Sequence, residues 1–169
     1  MNPPGGTVGE ATDRTHLLRT LDLARTARAD GNRPFGSLLV DAAGIVLLTA
    51  TNTAVTDRDV TAHAETNIVR AASASRWAPI LASTTLYTST EPCPMCAGAI
   101  YLSGIGRVVY ALTAEDLASL TGESDEVRMV ATPMAEVLAA GDGRPEIRHL
   151  PMGRAALEPH LDYWTGQSR

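Results

Sequence analysis

Stretches with a helical spacing of apolar residues alternate with short apolar runs along most of this chain. The first stretch repeats Leu17, Leu21 and Ala24 on one helical face, whereas the short runs are rich in branched side chains, as strands are. This alternation favours an α/β architecture with one sheet covered by helices on both faces. The predicted elements are a helix from 13 or 15 to 30, strands 37–41 and 45–50 in a hairpin, a helix 62–75, a strand 84–89, a helix 94–102, a strand 107–111, helices 113–120 and 130–140, a strand 146–150 and a helix 154–164.

Length and charge limit the number of domains and the kinds of partner. The 169 residues have the length of one ordinary domain, so we expect a flexible Gly/Pro-rich lead-in over 1–11, a single domain over 12–164 and a short tail over 165–169. A net charge of -5 argues against a protein that neutralises phosphates, so nucleic acid is an unlikely partner. No apolar run approaches the roughly 20 residues of a membrane helix, so we expect a cytoplasmic protein with no membrane contact.

Three residues form a pattern that is typical of a zinc centre. His63, Cys93 and Cys96 together offer one imidazole and two thiolates, which are ligands that zinc prefers. A structural zinc site usually has four protein ligands, so a set of three predicts an open position where zinc binds and acidifies water. The alternative is a thioredoxin-type redox pair of cysteines. That reading lacks the expected βαβ context and leaves His63 unexplained.

Glu65 is the candidate catalytic residue. It lies two positions after His63, at the predicted start of a helix, so its carboxylate can reach a water on the metal without binding the metal itself. This placement suits a residue that transfers protons. Glu91 is as suited to capping a helix or bracing a loop as to catalysis, and we leave it out of the predicted site. Met95 is expected to pack in the core.

The chain resembles the zinc deaminases of the cytidine deaminase superfamily, whose signature is His-x-Glu followed by Pro-Cys-x-x-Cys. The resemblance covers about residues 24–116 and implies a cytidine deaminase-like three-layer α/β/α sandwich with a central mixed sheet of about five strands. It also implies one Zn²⁺ per subunit, a homodimer, and hydrolytic deamination in which Glu65 transfers protons while ammonia leaves. The matching segments are Pro34-Phe35-Gly36, Thr61-Ala62-His63-Ala64-Glu65, the run from Thr88 to Cys96, and Ala97-Gly98-Ala99-Ile100.

The same resemblance implies a set of substrate contacts. Asn52 stands where these deaminases place an asparagine that hydrogen-bonds the substrate; the alternative is an ordinary turn residue. Asp116 stands where guanine deaminases place an aspartate against the base. Trp164 is expected to close the pocket, in the same subunit or across a dimer, unless it only docks the terminal helix. Phe35 and Ala64 complete the predicted substrate-binding residues.

The resemblance is greatest to guanine deaminases of purine metabolism, so a small-molecule nucleobase is the expected substrate and guanine the first choice. Leu102 stands where those enzymes carry tryptophan, and this smaller side chain leaves cytosine, isocytosine or a triazine possible. A tRNA adenosine deaminase acting on the wobble position is the alternative, disfavoured by the acidic charge and by Phe35. A non-enzymatic zinc module is a third reading, but it would have no need of Glu65.

Overall fold

One mixed sheet runs through the part of the chain that the computed structural model describes, residues 9–121, 130 and 132–164. Its strands are β1 (Gly36–Val40), β2 (Val46–Thr51), β3 (Thr85–Thr88), β4 (Arg107–Tyr110) and β5 (Glu146–His149). They lie in the order β2-β1-β3-β4-β5, with β1 antiparallel to β2 and β3, and with β3, β4 and β5 parallel. The predicted α/β class and all five predicted strands are confirmed, each strand to within one residue at its ends.

Helices cover both faces of this sheet, which makes the three-layer sandwich that the resemblance implied. Successive strand residues point to opposite faces, so each strand contributes to two separate cores. The helices are α1 (Glu10–Ala29), α2 (Ala64–Ser73), α3 (Pro94–Ser103), α4 (Ala114–Thr121), α5 (Met134–Val137) and α6 (Arg154–Leu157). The core under α1 contains Leu17, Leu21, Leu38, Tyr87 and Val109. The core under α2 and α3 contains Leu39, Ile68, Leu86, Ala97, Ile100 and Val108.

The predicted ends of three helices are wrong. Helix α1 begins at Glu10, after Gly9 as N-cap, so residues 10 and 11 are helical and do not belong to a flexible lead-in. The predicted helix 130–140 is reduced to α5, which begins after Pro133. The predicted helix 154–164 is α6 followed by a 3-10 turn, because Pro159 supplies no amide hydrogen and Asp162 has a φ of 59°. Residues 1–8 of the lead-in and the tail 165–169 lie outside the described residues.

Glycine at position 36 lets α1 lie directly on β1. A Cβ atom at Gly36 would overlap with Leu23 and with the backbone of Thr20 and Ala24, so a larger residue would push the helix off the sheet. The close approach fixes the start of β1 and with it the position of Phe35.

None of the helices in the described part of the chain has the length and apolar content that crossing a bilayer requires.

Candidate active site

The three predicted zinc ligands meet in the structure. The His63 Nδ1 atom lies 3.7 Å from the Cys93 sulfur and 3.5 Å from the Cys96 sulfur, and the two sulfurs are 3.6 Å apart. A tetrahedral zinc ion with ordinary bond lengths needs about 3.8 Å between two sulfurs and about 3.6 Å between nitrogen and sulfur. The donor atoms therefore fit zinc, with a fourth position left for a non-protein ligand. They form the only such metal-binding group found among the described residues.

Two helix starts bring these ligands together. His63 is the N-cap of α2 and Cys93 the N-cap of α3, both with extended backbone, and Pro94 occupies the first turn of α3, where a missing amide hydrogen does no harm. The positive ends of two helix dipoles thus face the cluster and favour anionic sulfur. The contact with Cys96 and then that with His63 lower the pKa of Cys93 to about 4, although burial acts in the opposite direction. The contact with Cys93 and burial raise the pKa of Cys96.

Glu65 lies beside the ligands without belonging to them. Its Oε2 atom is 3.7 Å from the Cys96 sulfur, and its Oε1 atom accepts a hydrogen bond of 3.1 Å from the Thr88 hydroxyl. The Thr88 oxygen in turn accepts a hydrogen bond of 3.0 Å from Ser37. Burial raises the pKa of Glu65, although the nearby His63 acts in the opposite direction. A buried carboxylate whose pKa is raised and whose orientation is held by one hydroxyl is suited to accept and release a proton.

A cavity of about 200 Å³ opens above this cluster. Phe35, Leu117 and Trp164 provide apolar walls, and Arg33 supplies the only guanidinium of the lining among the described residues. Trp164 stacks on His160, with ring centres 6.0 Å apart and planes at 11°, and that histidine lies 5.4 Å from the Phe35 ring. These ring contacts hold Trp164 against the pocket of its own chain.

The comparisons with known proteins identify the family. Residues 10–112 match the profile of the cytidine and deoxycytidylate deaminase zinc-binding region. The chain belongs to this deaminase family. The protein is therefore a zinc-binding deaminase, a hydrolase that acts on C–N bonds, as its ligand set and Glu65 predicted.

Relatives of this deaminase act on more than one kind of substrate. A probable cytosine deaminase of Schizosaccharomyces pombe is 38% identical over 154 residues, which are 91% of this chain and 93% of the relative. The guanine deaminase of Bacillus subtilis is 40% identical over 105 residues, 62% of this chain and 67% of the relative. The crystal structure of a guanine deaminase from Nitrosomonas europaea has a TM-score of 0.72 at 24% identity, covers 98% of this chain and 86% of its own, and shares the fold. Other relatives are tRNA-specific adenosine deaminases.

The predicted substrate-binding residues fall into two groups. Phe35 and Trp164 line the pocket of this deaminase. Asn52 is fully buried, its side-chain oxygen accepts the amide of Ala54, and its Nδ2 group has no partner within the described structure. Ala64 is buried in the first turn of α2 and is not part of the lining. Asp116 is exposed in the first turn of α4 and likewise lies outside the lining.

Residues near the motifs have roles that the sequence left open or misjudged. Arg33 and Thr90 line the pocket and were not predicted, although Arg33 adjoins one matching segment and Thr90 lies within another. Met95 was expected in the core but is 38% exposed and lines the pocket. Leu102 is 84% exposed and outside the lining, so it forms no wall of the pocket within one chain.

Glu91 braces the loops around the pocket and also belongs to its lining. Its two carboxylate oxygens accept the amide of Ala114 at 3.0 Å and the amide of Met134 at 2.9 Å. It thereby ties the loop before α3 to α4 and α5. Its role is to hold the pocket in shape.

Proposed function

We propose that this deaminase removes the amino group of a free nucleobase and releases ammonia. The observation that carries the proposal is the small pocket above a three-ligand metal centre, with Glu65 beside the ligands and outside the ligand set. When bound, zinc supplies the Lewis acid that makes a water molecule acidic near neutral pH. A pocket of about 200 Å³ is smaller than the roughly 300–1,000 Å³ of sites for larger ligands, so it favours a single base.

The protein's own residues have defined tasks in this reaction. Glu65 takes one proton from the attacking water and passes it to a ring nitrogen as the water oxygen bonds to the ring carbon. It then takes the second proton from that oxygen and delivers it to the amino group, so that the C–N bond breaks, ammonia leaves and a carbonyl remains. The Thr88 hydroxyl orients Glu65 for these transfers. Phe35 and Trp164, whose rings lie 6.2 Å apart, offer apolar surfaces against which a flat ring packs. Asn52 is buried outside the lining, and its Nδ2 group has no partner in the described structure, so its contact with the substrate stays a prediction.

Among the possible rings, we place cytosine first and guanine second, with isocytosine and triazines after them. The preference for guanine relied in part on Asp116, and this residue is exposed outside the pocket. The relative that resembles the chain over 91% of its length is a probable cytosine deaminase. Both arguments favour the smaller ring.

A homodimer is part of the proposal. Val60, before α2, and Leu102, on α3, are each 84% exposed, and Met95 on α3 is 38% exposed. Large apolar side chains exposed in this way are suited to a subunit interface. Sedimentation at micromolar concentration is expected to give twice the chain mass, and replacing Leu102 by glutamate to give the monomer.

Ammonia release from a panel of compounds tests the proposed activity. The panel contains cytosine, guanine, isocytosine, aminotriazines, the matching nucleosides and tRNA, with zinc-loaded Glu65→Ala as the blank. We expect release from free bases, and cytosine to be the fastest. Release from tRNA alone would contradict the proposal and support the activity of the tRNA-specific relatives, against which the net charge of -5 argues.

A further inference from the structure

We propose that Arg33 determines specificity by donating hydrogen bonds from its guanidinium to an oxygen of the substrate. The inference rests on the proposed function, since it concerns the same pocket. Arg33 is half-buried and lines the pocket together with Phe35 and Trp164. Within the described part of the chain, its guanidinium makes no hydrogen bond and no ion pair. When a guanidinium lies in a pocket wall and its N–H groups have no acceptor in the protein, they are available to a ligand.

The side-chain groups that have no partner around the pocket can all donate a hydrogen bond, and two of the three can do nothing else. Both oxygens of Glu91 already accept backbone amides. The Trp164 Nε1 group and the Thr90 hydroxyl are buried without partners in the described structure. Tryptophan and arginine can only donate, and a threonine hydroxyl can do either. A ligand that satisfies these groups must therefore bring acceptor atoms.

The position of Asp116 also favours a ligand that brings acceptor atoms. Asp116, the acceptor that the resemblance placed against a guanine-type base, is exposed and outside the lining. The pocket therefore pairs an oxo group better than it pairs a ring N–H. An oxo group adjoins the ring nitrogens of cytosine and of guanine, and a guanidinium always stays charged, so it binds such an oxygen strongly. The phosphate of a nucleotide would offer the same chemistry, but the small cavity favours an oxygen on the ring.

Two pairs of compounds isolate the oxygen. Cytosine and 4-aminopyrimidine differ by one oxo group, as do guanine and 2-aminopurine, and each member keeps the amino group to be removed. The zinc-loaded enzymes compared are the wild type, Arg33→Gln, and Arg19→Gln as a matched control, because Arg19 is an exposed arginine of α1 outside this pocket. The kcat/KM for ammonia release is measured for each compound. Where an analogue is not turned over, its inhibition constant takes the place of kcat/KM.

We expect Arg33→Gln to lower kcat/KM for the oxo member of the productive pair by about tenfold to a hundredfold, the range for one hydrogen bond to a charged group. The oxo-free member is expected to change little, so the preference of the wild type for the oxo compound collapses. Arg19→Gln keeps that preference. An unchanged preference in Arg33→Gln, or an equal loss on both members of the pair, would overturn the inference.

Two further measurements separate this inference from the proposed function. Cytidine and cytidine 5′-monophosphate are assayed in the same series; a loss in Arg33→Gln confined to the monophosphate would assign the contacted oxygen to a phosphate. The affinities of cytosine and guanine are also measured by calorimetry on two zinc-loaded variants, Glu65→Gln and the double variant Glu65→Gln/Arg33→Gln. This comparison detects the contact between Arg33 and the base even if no base is turned over. Equal affinities of the two variants would overturn the role of Arg33. A lack of ammonia release from free bases would contradict only the proposed activity.

Discussion

Two buried carboxylates lie on opposite faces of the sheet and differ in the number and charge of the groups that hydrogen-bond to them. Asp13 is fully buried under α1, where it accepts hydrogen bonds from the Tyr87 hydroxyl at 2.7 Å, from Arg107 at 2.9 and 2.8 Å, and from Arg148 at 3.0 Å. Glu65 on the other face is held by a single hydroxyl, that of Thr88. The residues that hold the two acids, Tyr87 and Thr88, are neighbours on β3, and their side chains point to opposite faces.

The partners decide what each acid can do. Burial alone would raise the pKa of Asp13, but hydrogen bonds from Arg107 and Tyr87 and the charges of Arg107 and Arg148 together lower it. Burial also acts on Glu65, where no arginine opposes it, and its pKa is raised. Asp13 is thus held in its charged form and stabilises the fold, while Glu65 is suited to carry a proton in the proposed reaction.

Replacing Glu65 by glutamine is expected to have the largest effect. The amide keeps the shape of the side chain and the contact with Thr88 but cannot transfer protons, so kcat falls by roughly 10²- to 10⁴-fold. The midpoint of thermal unfolding and the zinc content stay at the wild-type values or rise, since a buried charge is removed. Turnover within tenfold of the wild type would show that Glu65 is not the proton carrier.

Replacing Asp13 by asparagine is expected to lower the stability of the fold and to leave turnover unchanged. Arg107 and Arg148 lose their buried counter-charge and keep only the exposed Glu146 and Glu10, so the free energy of unfolding in urea falls by about 3 kcal/mol while kcat per folded molecule is kept. Asp22→Asn is the matched control on the same helix, because its pair with Arg25 is exposed and contributes less than about 1 kcal/mol. Equal losses in the two variants would contradict a special role for Asp13.

Acid should remove the contribution of Asp13. The pKa of Asp13 in the folded state lies below its unfolded value of 3.8, so the unfolded chain takes up the proton first. The stabilisation is therefore complete well above that value and is lost as the pH falls through the folded pKa. Unfolding midpoints of the wild type and Asp13→Asn are expected to converge below about pH 4. A constant difference down to about pH 2 would mean that the charge of Asp13 does not stabilise the fold.

The neighbours on β3 provide the smallest and sharpest test. Thr88→Val removes one hydrogen bond from Glu65 and should lower kcat by about tenfold. It also leaves the buried Ser37 hydroxyl without its acceptor, so we expect a loss of about 1–3 kcal/mol in the free energy of unfolding. Tyr87→Phe removes one hydrogen bond from Asp13 and should lower the free energy of unfolding by about 1–2 kcal/mol with kcat unchanged. Steady-state kinetics and urea unfolding of both variants provide the measurement. A kcat loss in Tyr87→Phe as large as that in Thr88→Val would contradict the assignment of Asp13 to stability and of Glu65 to the reaction.

Much of the catalytic centre could be read from the sequence because its signals are local. His63 and Glu65 share one helix start, and Cys93 and Cys96 share another, so short spacings already place each pair. The apolar patterns of the five strands are local as well, and all five were predicted to within one residue. Helix ends were less predictable: Pro159, within a helical pattern, ended a helix that apolar spacing alone would continue.

The sequence by itself determined the strands and singled out the candidate zinc ligands and Glu65 as the candidate proton carrier, whereas only the tertiary structure decided which distant side chains meet. Arg107 and Arg148 lie 94 and 135 residues from Asp13 and reach it because β4 and β5 are adjacent in the sheet. Trp164 reaches the pocket of its own chain through ring contacts near Phe35. Strand order and packing between distant segments set such contacts, and neither leaves a periodic or short-range signal in the chain.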